Sequence, residues 1–398
     1  MNFLILLYLL AIAPKLLWEK VRKGKSHPAF FQRLGLKVPT PTKNFTIWIH
    51  AVSVGEIKSA SSLYTQLRKS YPDAFFLITT TTATGQMEAK RSLPQADAYA
   101  YLPIDLTWVV RRWVKKLNPK LFILIETDFW PQLLTELKRN KTKVVLVSGK
   151  LSERSAKRFF YFKHFAKKLF SNFDLLCVQS EEHFKRFFPL VPDPKKLHTT
   201  GNLKLDLEAQ KTAKLQFPQP AITISCTHET EEEQLLDALL DTDYFLILAP
   251  RHPERFEKVA GLLKQKNIPF SRFTSSEPYK KVLLVDCMGK LPICYANSRL
   301  AIVAGSYVKH IGGHNVLEPC LYGTPVIFGP HIFGQKELAN RAQSFGAAKQ
   351  VSLHSLKNTI ESILSNVELE KSMRAGAKRV VESGRGSTAQ VLKLVRAL

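Results

Sequence analysis

Short apolar runs alternate with amphipathic stretches along the chain from Phe45 onward. Uninterrupted apolar runs of this length are typical of strands buried on both faces of a parallel sheet, and the stretches between them have helical spacing. The alternation predicts repeated βαβ units in a doubly wound sheet. In the first half it predicts strands at Ile47–Val52, Ala74–Ile78, Leu121–Ile125, Val144–Val147 and Leu175–Val178, and helices at Lys58–Ser70, Leu106–Leu117 and Pro131–Arg139.

The alternation pauses at Leu207–Pro220, a polar stretch that ends in two prolines, and then restarts. Two Rossmann-like halves joined near residue 212 predict a GT-B architecture with the active site in the cleft between the domains. We predict a first domain over residues 26–209, a linker over 210–220 and a second domain over 221–398. Neither a GxGxxG fingerprint nor a Walker A sequence is present, which disfavours nicotinamide and P-loop chemistry. The second-half strands are predicted at Ala221–Ser225, Phe245–Ala249, Val282–Val285, Leu300–Ala304 and Thr324–Phe328.

An apolar segment precedes these domains. Phe3–Ala13 is an unbroken apolar run of eleven residues, and extending it to Trp18 gives sixteen. As a helix this segment spans about 24 Å, which is less than the roughly 30 Å of a bilayer core. Basic residues from Lys15 to Lys25 accompany it. We interpret residues 1–25 as an uncleaved membrane-anchor segment that lies in or marginally spans the bilayer, with its basic flank toward the cytoplasm; a cleaved signal peptide is the alternative.

Charge is distributed unevenly along the chain. The chain has 58 Lys and Arg against 33 Asp and Glu, a net charge of +25. Residues 1–209 hold 34 basic and 16 acidic residues, or +18, whereas the rest hold 24 and 17, or +7. The first half therefore needs a polyanionic partner, either nucleic acid or an anionic membrane. The apolar segment and a basic-aromatic stretch over residues 157–170 favour the membrane, although that stretch also fits an ordinary surface helix.

The five cysteines are scattered and form no CxxC or Cys/His ligand pattern. This distribution indicates buried free thiols in a reducing cytoplasm. It does not indicate a structural zinc site, and we expect neither a metal nor a cofactor.

Two motifs follow predicted strands of the first half. Gly55 and Glu56 come just after the first strand, where a glycine lets backbone N–H groups approach a ligand. Glu56 at this edge of the sheet suits the single general base of an inverting transferase. A carboxylate that only complements the helix dipole is the alternative. Glu126, in the motif ETDFWP, follows the strand Leu121–Ile125 and either faces the same edge or belongs to a helix cap and its turn.

Two further motifs follow strands of the second half. Arg251, in PRHPERF, is placed to clamp a phosphate leaving group, or else it forms a surface ion pair. A glycine loop beginning at Gly305 leads into GGHNVLEP and predicts an anion cradle at the start of a helix. Glu318, about one turn into that helix, is a candidate acceptor for ribose hydroxyls. A merely structural glycine turn, with His314 packed or capping, is the alternative.

These motifs belong to a longer series of blocks, namely WIHAVSVGE, TTTTATG, YLPID, ETDFWP, LSERS, QSEEHFKRF, GNLKLD, THE, PRHPERF and GGHNVLEP. In sequence and in order the blocks resemble the 3-deoxy-D-manno-octulosonic acid (Kdo) transferase family, over about residues 4 to 390. The resemblance implies a metal-free inverting GT-B glycosyltransferase. It implies transfer of Kdo from CMP-Kdo to the lipid A precursor (lipid IVA) in lipopolysaccharide core biosynthesis, at the cytoplasmic face of the bacterial inner membrane.

The resemblance also implies roles for individual residues. In a first domain that binds the acceptor, Glu56 is the general base, and Glu126 and Lys204 stabilise the transition state. The partners implied are the two substrates and anionic inner-membrane lipids, without nucleic acid. In a second domain that binds CMP-Kdo, the donor residues implied are Pro250, Arg251, Met288, Gly289, Lys290, Asn315, Val316, Leu317 and Glu318.

The sequence departs from the family pattern at two positions near these residues. Lys290 stands where the family usually has glutamate, and Lys150 stands where it has arginine, which cannot be exchanged for lysine at a bidentate site without loss. Two other functions remain open. Another GT-B nucleotide-sugar transferase or epimerase would share the fold, and a non-enzymatic basic membrane-binding protein would share the charge.

Overall fold

The computed structural model describes residues 30–206 and 209–398. The chain divides at Leu207 and Glu208 into two compact units, and Gly386–Leu398 returns to the first unit. Each unit contains a parallel seven-stranded sheet with helices packed against it. The two sheets confirm the predicted α/β class with two doubly wound domains.

The strands of the first unit are β1 (Phe45–His50), β2 (Ala74–Thr80), β3 (Ala98–Tyr101), β4 (Pro119–Ile125), β5 (Lys143–Gly149), β6 (Leu175–Val178) and β7 (Leu197–Thr199). They lie in the order β3-β2-β1-β4-β5-β6-β7, and all neighbours are parallel. The strand order reverses between β1 and β4. Ligands of such sheets bind beyond the carboxyl ends of the strands at this reversal.

The strands of the second unit are β8 (Ala221–Thr227), β9 (Phe245–Pro250), β10 (Phe270–Arg272), β11 (Val282–Leu284), β12 (Leu300–Val303), β13 (Val326–Phe328) and β14 (Ala348–Gln350). Their order is β10-β11-β9-β8-β12-β13-β14, again with parallel neighbours. Here the reversal falls between β8 and β12.

The helices follow in chain order. Those of the first unit are α1 (Phe30–Arg33), α2 (Val54–Ser70), α3 (Ala83–Ser92), α4 (Thr107–Leu117), α5 (Pro131–Arg139), α6 (Glu153–Tyr161), α7 (Lys163–Phe170) and α8 (Glu181–Phe187). Those of the second unit are α9 (Glu231–Leu239), α10 (Phe256–Gln265), α11 (Leu291–Ala296), α12 (Leu317–Cys320), α13 (Lys336–Ser344), α14 (Leu356–Ser365) and α15 (Val367–Glu382). The last helix is α16 (Ser387–Arg396).

Side chains that alternate along each strand form separate cores on the two faces of a sheet. On β1, Trp48 packs into a core that includes α4, α5 and α7, whereas Ile47 and Ile49 pack into a core that includes α2 and α3. Both faces are therefore dry, which explains why the strands appear in the sequence as continuous apolar runs. All five cysteines are free thiols, and all except Cys287 are buried, as predicted.

The C-terminal helix corrects one predicted boundary. The sequence pattern placed residues 221–398 in the second domain, but α16 belongs to the first unit. Val391, Leu392 and Val395 of α16 pack in the same core as Leu63 of α2. The sequence of an amphipathic helix indicates which of its faces is apolar, but it does not indicate which domain core that face packs against.

No helix in residues 30–206 or 209–398 has both the length and the apolar content needed to cross a bilayer. The predicted anchor segment, residues 1–25, lies outside the described residues.

Candidate active site

Glu56 lies in the first turn of α2, just beyond the carboxyl end of β1. Its Oε2 accepts a hydrogen bond from the Val52 N–H at 2.7 Å, and its Oε1 accepts one from the Ser53 hydroxyl at 3.3 Å. Burial, followed by the negative charge of Glu126, raises the pKa of Glu56 to about 7. The carboxylate therefore lies where it can interact favourably with the helix dipole, and it can also gain or lose a proton near neutral pH.

Glu126 follows β4, the neighbour of β1, and its side chain is buried. Its Oε1 lies 2.6 Å from the Lys204 Nζ, and its Oε2 forms an ion pair with the Lys150 Nζ. Burial raises the pKa of Glu126, but the two lysines outweigh that effect and leave the pKa below its ordinary value. The structure thus brings together the three predicted residues Glu56, Glu126 and Lys204, and adds Lys150.

The backbone fixes Lys204 against the ends of neighbouring strands. Lys204 lies in a 3-10 turn, Leu203–Leu205, and its N–H donates to the Asn202 side-chain oxygen at 3.0 Å. The Leu203 N–H donates to the Ser148 hydroxyl, near the end of β5, at 3.3 Å. These bonds explain how a residue far from Glu126 in sequence meets it with a defined geometry.

Three non-glycine residues at this edge have a positive φ. They are Glu126 at 62°, Asp128 at 130° and Ser148 at 54°. Such backbone angles are unfavourable for residues with a Cβ, and they occur preferentially at functional sites. Asp128 accepts a hydrogen bond from the Trp130 indole at 2.9 Å, and its carboxylate lies 3.4 Å from the buried His50 Nε2. The ETDFWP motif is therefore a strained, hydrogen-bonded turn rather than a simple helix cap.

In the second unit, a pocket at the carboxyl ends of β8, β9 and β11 contains five of the predicted donor residues. Pro250 and Arg251 come from the end of β9, and Met288, Gly289 and Lys290 from the loop after β11. The Lys290 ammonium lies 5.5 Å from the centre of the Phe273 ring, so this unusual lysine is held by a cation–π contact. The pocket is lined by Cys226, Ala249, Pro250, Arg251, Val285, Cys287, Met288, Gly289, Lys290 and Leu291.

The other predicted donor residues follow the glycine loop after β12. Gly313 has a φ of +82°, and a Cβ there would lie 2.1 Å from Ile332, so only glycine fits. The helix α12 that follows is one turn long, so Glu318 is its second residue and not one turn inside it as predicted. The side chains of Val316 and Leu317 are buried in the core, which leaves their backbone to contact a ligand. Asn315 and Glu318 are only half-buried.

A pair of histidines connects the glycine loop to the turn after β8, and the sequence motifs did not identify the two residues as a pair. The His228 and His314 Nε2 atoms are 2.8 Å apart, so one ring donates and the other accepts. Burial lowers the pKa of His228 to about 4, helped by His252 and Arg251. Burial and Arg251 lower the pKa of His314 to about 3. Neutral imidazoles beside an arginine offer N–H donors to an anion. The only hint of this cluster in the sequence is one histidine in each of the motifs THE, PRHPERF and GGHNVLEP.

Within the two ranges that the structure describes, no set of three or more His, Cys, Asp or Glu side chains is arranged to hold a metal ion.

Comparison with known proteins identifies the family. A family model described as 3-deoxy-D-manno-octulosonic-acid transferase (kdotransferase) matches residues 28–207. A 3-deoxy-D-manno-octulosonic acid transferase of Haemophilus influenzae is 34% identical over 369 residues, which cover 88% of this chain and 86% of that protein. The chain belongs to the Kdo transferase family. It is an enzyme, a glycosyltransferase, and the non-enzymatic alternative is thereby excluded.

Solved structures confirm the GT-B fold of this Kdo transferase. A putative UDP-N-acetylglucosamine 2-epimerase from Listeria monocytogenes matches with a TM-score of 0.62 at 13% identity, covering 89% of this chain and 96% of that one. Acinetobacter baumannii MurG matches with a TM-score of 0.54 at 14% identity, covering 90% and 100%. At this level of identity the likeness concerns the fold alone.

Proposed function

We propose that this Kdo transferase moves Kdo from CMP-Kdo to the lipid A precursor (lipid IVA), with inversion at the anomeric carbon and with Glu56 as general base. The observation that carries the proposal is the environment of Glu56. It is a carboxylate at the strand-order reversal of the first sheet whose pKa is raised to about 7. A base with a pKa near the working pH combines a useful fraction of the ionised form with enough basicity to take a proton.

In the proposed reaction, the acceptor hydroxyl attacks the anomeric carbon of Kdo while Glu56 takes its proton. The bond from that carbon to the CMP phosphate breaks, and the electron pair leaves with the phosphate. Lys150 and Lys204, fixed on the buried Glu126, supply localised positive charge beside the base. Charge that is already in place needs no reorganisation during the reaction, which is how such groups lower a barrier.

The second unit supplies the groups proposed to bind the donor. Arg251 lies in the pocket formed after β9 and close enough to His314 to lower its pKa. A guanidinium forms bidentate hydrogen bonds to phosphate, so Arg251 is assigned to the CMP phosphate. Glu318 is half-buried and is assigned to the ribose hydroxyls, with Asn315 and the backbone of Val316 and Leu317 beside it.

The first unit carries a surface that suits the proposed site of action, the cytoplasmic face of the inner membrane. Residues 157–170 cover the second half of α6 and all of α7, and no side chain of α6 is fully buried. Aromatic side chains are exposed there among lysines and an arginine, which is the composition that binds anionic lipid interfaces. The exposed aromatic residues are Phe160, Tyr161, Phe162 and Phe165, and the exposed basic residues are Lys157, Arg158, Lys163, Lys167 and Lys168.

The proposed chemistry is tested by incubating the full chain with CMP-Kdo and tetra-acylated lipid A precursor and measuring product mass. We expect a mass increase by whole Kdo units and no transfer from UDP-sugars. Product formed from a UDP-sugar, or the absence of product from CMP-Kdo with folded protein, would indicate a different GT-B activity.

The proposed membrane surface is tested by vesicle flotation. Replacing Phe160, Phe162 and Phe165 by serine should weaken binding to anionic vesicles. Met87→Ser is the matched control, because Met87 is equally exposed but lies on α3, which packs on the other face of the sheet. Equal vesicle binding by the triple variant and the control would remove residues 157–170 from the membrane surface.

A further inference from the structure

Glu231 is a fully buried carboxylate that none of the assigned roles uses. It is the first residue of α9, which follows β8 after the short turn that contains His228. Its relative exposure is 0%. In the described parts of the chain no lysine or arginine forms an ion pair with it, and the nearby Arg255 pairs with Glu232 instead.

Three backbone N–H groups converge on this carboxylate. Its Oε2 accepts from Gly305 at 2.8 Å and from His228 at 3.1 Å, and its Oε1 accepts from Tyr307 at 2.9 Å. His228 lies in the turn after β8, whereas Gly305 and Tyr307 lie in the glycine loop after β12. Since β8 and β12 are neighbours, the carboxylate joins two segments at the reversal of strand order in the second sheet.

The two segments also meet through the histidine pair. His314 follows the same glycine loop, and its Nε2 is 2.8 Å from the His228 Nε2. Gly305 has a φ of +70°, and a Cβ there would lie 2.6 Å from His314, so the loop start and the imidazole are packed directly together. The backbone at Gly305 and the His314 ring therefore share one packed contact.

We propose that Glu231 is a positioning residue of the donor site: its carboxylate clamps the glycine loop to the turn after β8 and thereby fixes the His228–His314 pair where the anionic part of the nucleotide sugar binds. This inference rests on the proposed donor site. An ionised carboxylate offers acceptors on both oxygens, as three N–H groups require, whereas an amide in its place turns an NH₂ group toward at least one of them.

The test compares Glu231→Gln with Glu233→Gln in the full chain. Glu233 lies on the same helix but is 55% exposed and pairs with Lys266, so it controls for the loss of a charge on α9. We expect Glu231→Gln to raise the Kd for CMP and the KM for CMP-Kdo by about tenfold, the worth of one charge-assisted hydrogen bond, and to leave the acceptor KM within twofold. Glu233→Gln should leave all three unchanged.

A double-mutant cycle shows whether Glu231 acts through the histidines. If it does, His314→Gln weakens CMP binding, and adding Glu231→Gln to that variant costs much less than it does in the wild type. Additive effects would make Glu231 an independent structural residue and overturn the proposal, as would wild-type CMP affinity in a folded Glu231→Gln protein.

A measurement on the wild type covers the case in which Glu231→Gln does not fold. The imidazole nitrogen signals of His228 and His314 should shift together at a CMP concentration at which calorimetry shows the nucleotide to be bound, and unchanged signals with CMP bound would overturn the proposal. Failure of the proposed function looks different: the wild-type enzyme would then respond to another nucleotide, such as UDP, and not to CMP.

Discussion

Replacing Glu56 by glutamine should slow the enzyme and stabilise its fold, and the second effect depends on pH. Raising the pKa of Glu56 from 4.5 to about 7 means that the folded protein disfavours the ionised form. At about 1.4 kcal/mol per pKa unit, the penalty at pH 8 is about 3 kcal/mol relative to the unfolded chain. Below pH 4.5 the carboxyl is protonated in both the folded and the unfolded protein, so its raised pKa does not affect stability. The loss of stability grows as pH rises from 4.5 to about 7, and it stays constant above that. Glutamine never ionises, so it avoids this penalty.

The assay for stability is urea unfolding followed by tryptophan fluorescence. All five tryptophans, Trp18, Trp48, Trp108, Trp113 and Trp130, precede residue 207, so the signal reports the first unit. We expect Glu56→Gln to be more stable than the wild type by up to about 3 kcal/mol at pH 8 and by almost nothing at pH 4. Glu136→Gln is the opposite control, because hydrogen bonds from Arg111 lower the pKa of Glu136 and its replacement should destabilise the protein at pH 8.

The assay for activity is turnover with saturating substrates as a function of pH. A general base contributes roughly two to four orders of magnitude, so Glu56→Gln should lose about that much while CMP affinity barely changes. In the wild type, turnover should rise with pH up to about 7 and then level off, since the base acts when it is ionised. Turnover within tenfold of wild type, or a stability gain that is the same at pH 4 and pH 8, would refute the assignment of Glu56.

Four further predictions concern the proposed site, its metal dependence and the proposed anchor segment. Lys204→Met should lower turnover by about a hundredfold, as loss of one fixed stabilising group does, with CMP binding by calorimetry unchanged. Arg251→Ala and Glu318→Ala should each weaken CMP binding about tenfold, and normal affinity in both would place the donor site elsewhere. EDTA should leave activity intact, and loss that magnesium restores would contradict a metal-free reaction. Deleting residues 2–18 should give a folded protein that binds anionic vesicles at low salt and releases them at high salt, while the intact chain stays bound.

The parallel sheets were predictable because most of their strands are buried on both faces. Leu175–Val178 has the predicted bounds, and the other predicted strands differ by one or two residues at one or both ends. The four strands that periodicity missed are short, and each is an edge strand of its sheet, where a strand needs no continuous apolar run. They are Ala98–Tyr101, Leu197–Thr199, Phe270–Arg272 and Ala348–Gln350.

The candidate site was predictable in its residues but not in its electrostatics. Motifs and family resemblance pointed to Glu56, Glu126 and Lys204, yet they did not show that Glu126 is shared by two lysines. Lys150 replaces an arginine of the family and was expected to make a weaker contact, whereas its ammonium forms an ion pair with the Glu126 carboxylate. Such pairings depend on the order of the strands in the sheet, which cannot be inferred from the motifs of a single sequence.

The two carboxylates at the edge of the first sheet have opposite pKa shifts. Glu56 and Glu126 are both largely buried, so desolvation alone would raise the pKa of each. Glu126 faces two ammonium groups and stays charged, and its charge then helps to keep the pKa of Glu56 high. Pairs of titratable groups whose environments push their pKa values apart are the usual mark of divided acid–base and electrostatic roles.

The lysines therefore have a second effect besides their own positive charge. Removing Lys150 or Lys204 would make Glu126 easier to protonate, which would weaken the second of the two effects that raise the pKa of Glu56, after burial. The same change would also remove an ammonium group that lowers the pKa of Glu56 directly. The positive φ of Glu126 and Ser148 shows that the backbone accepts strain to bring these groups together. The raised pKa of Glu56, on which its proposed role as a base depends, is thus a property of the whole cluster at this sheet edge and not of Glu56 alone.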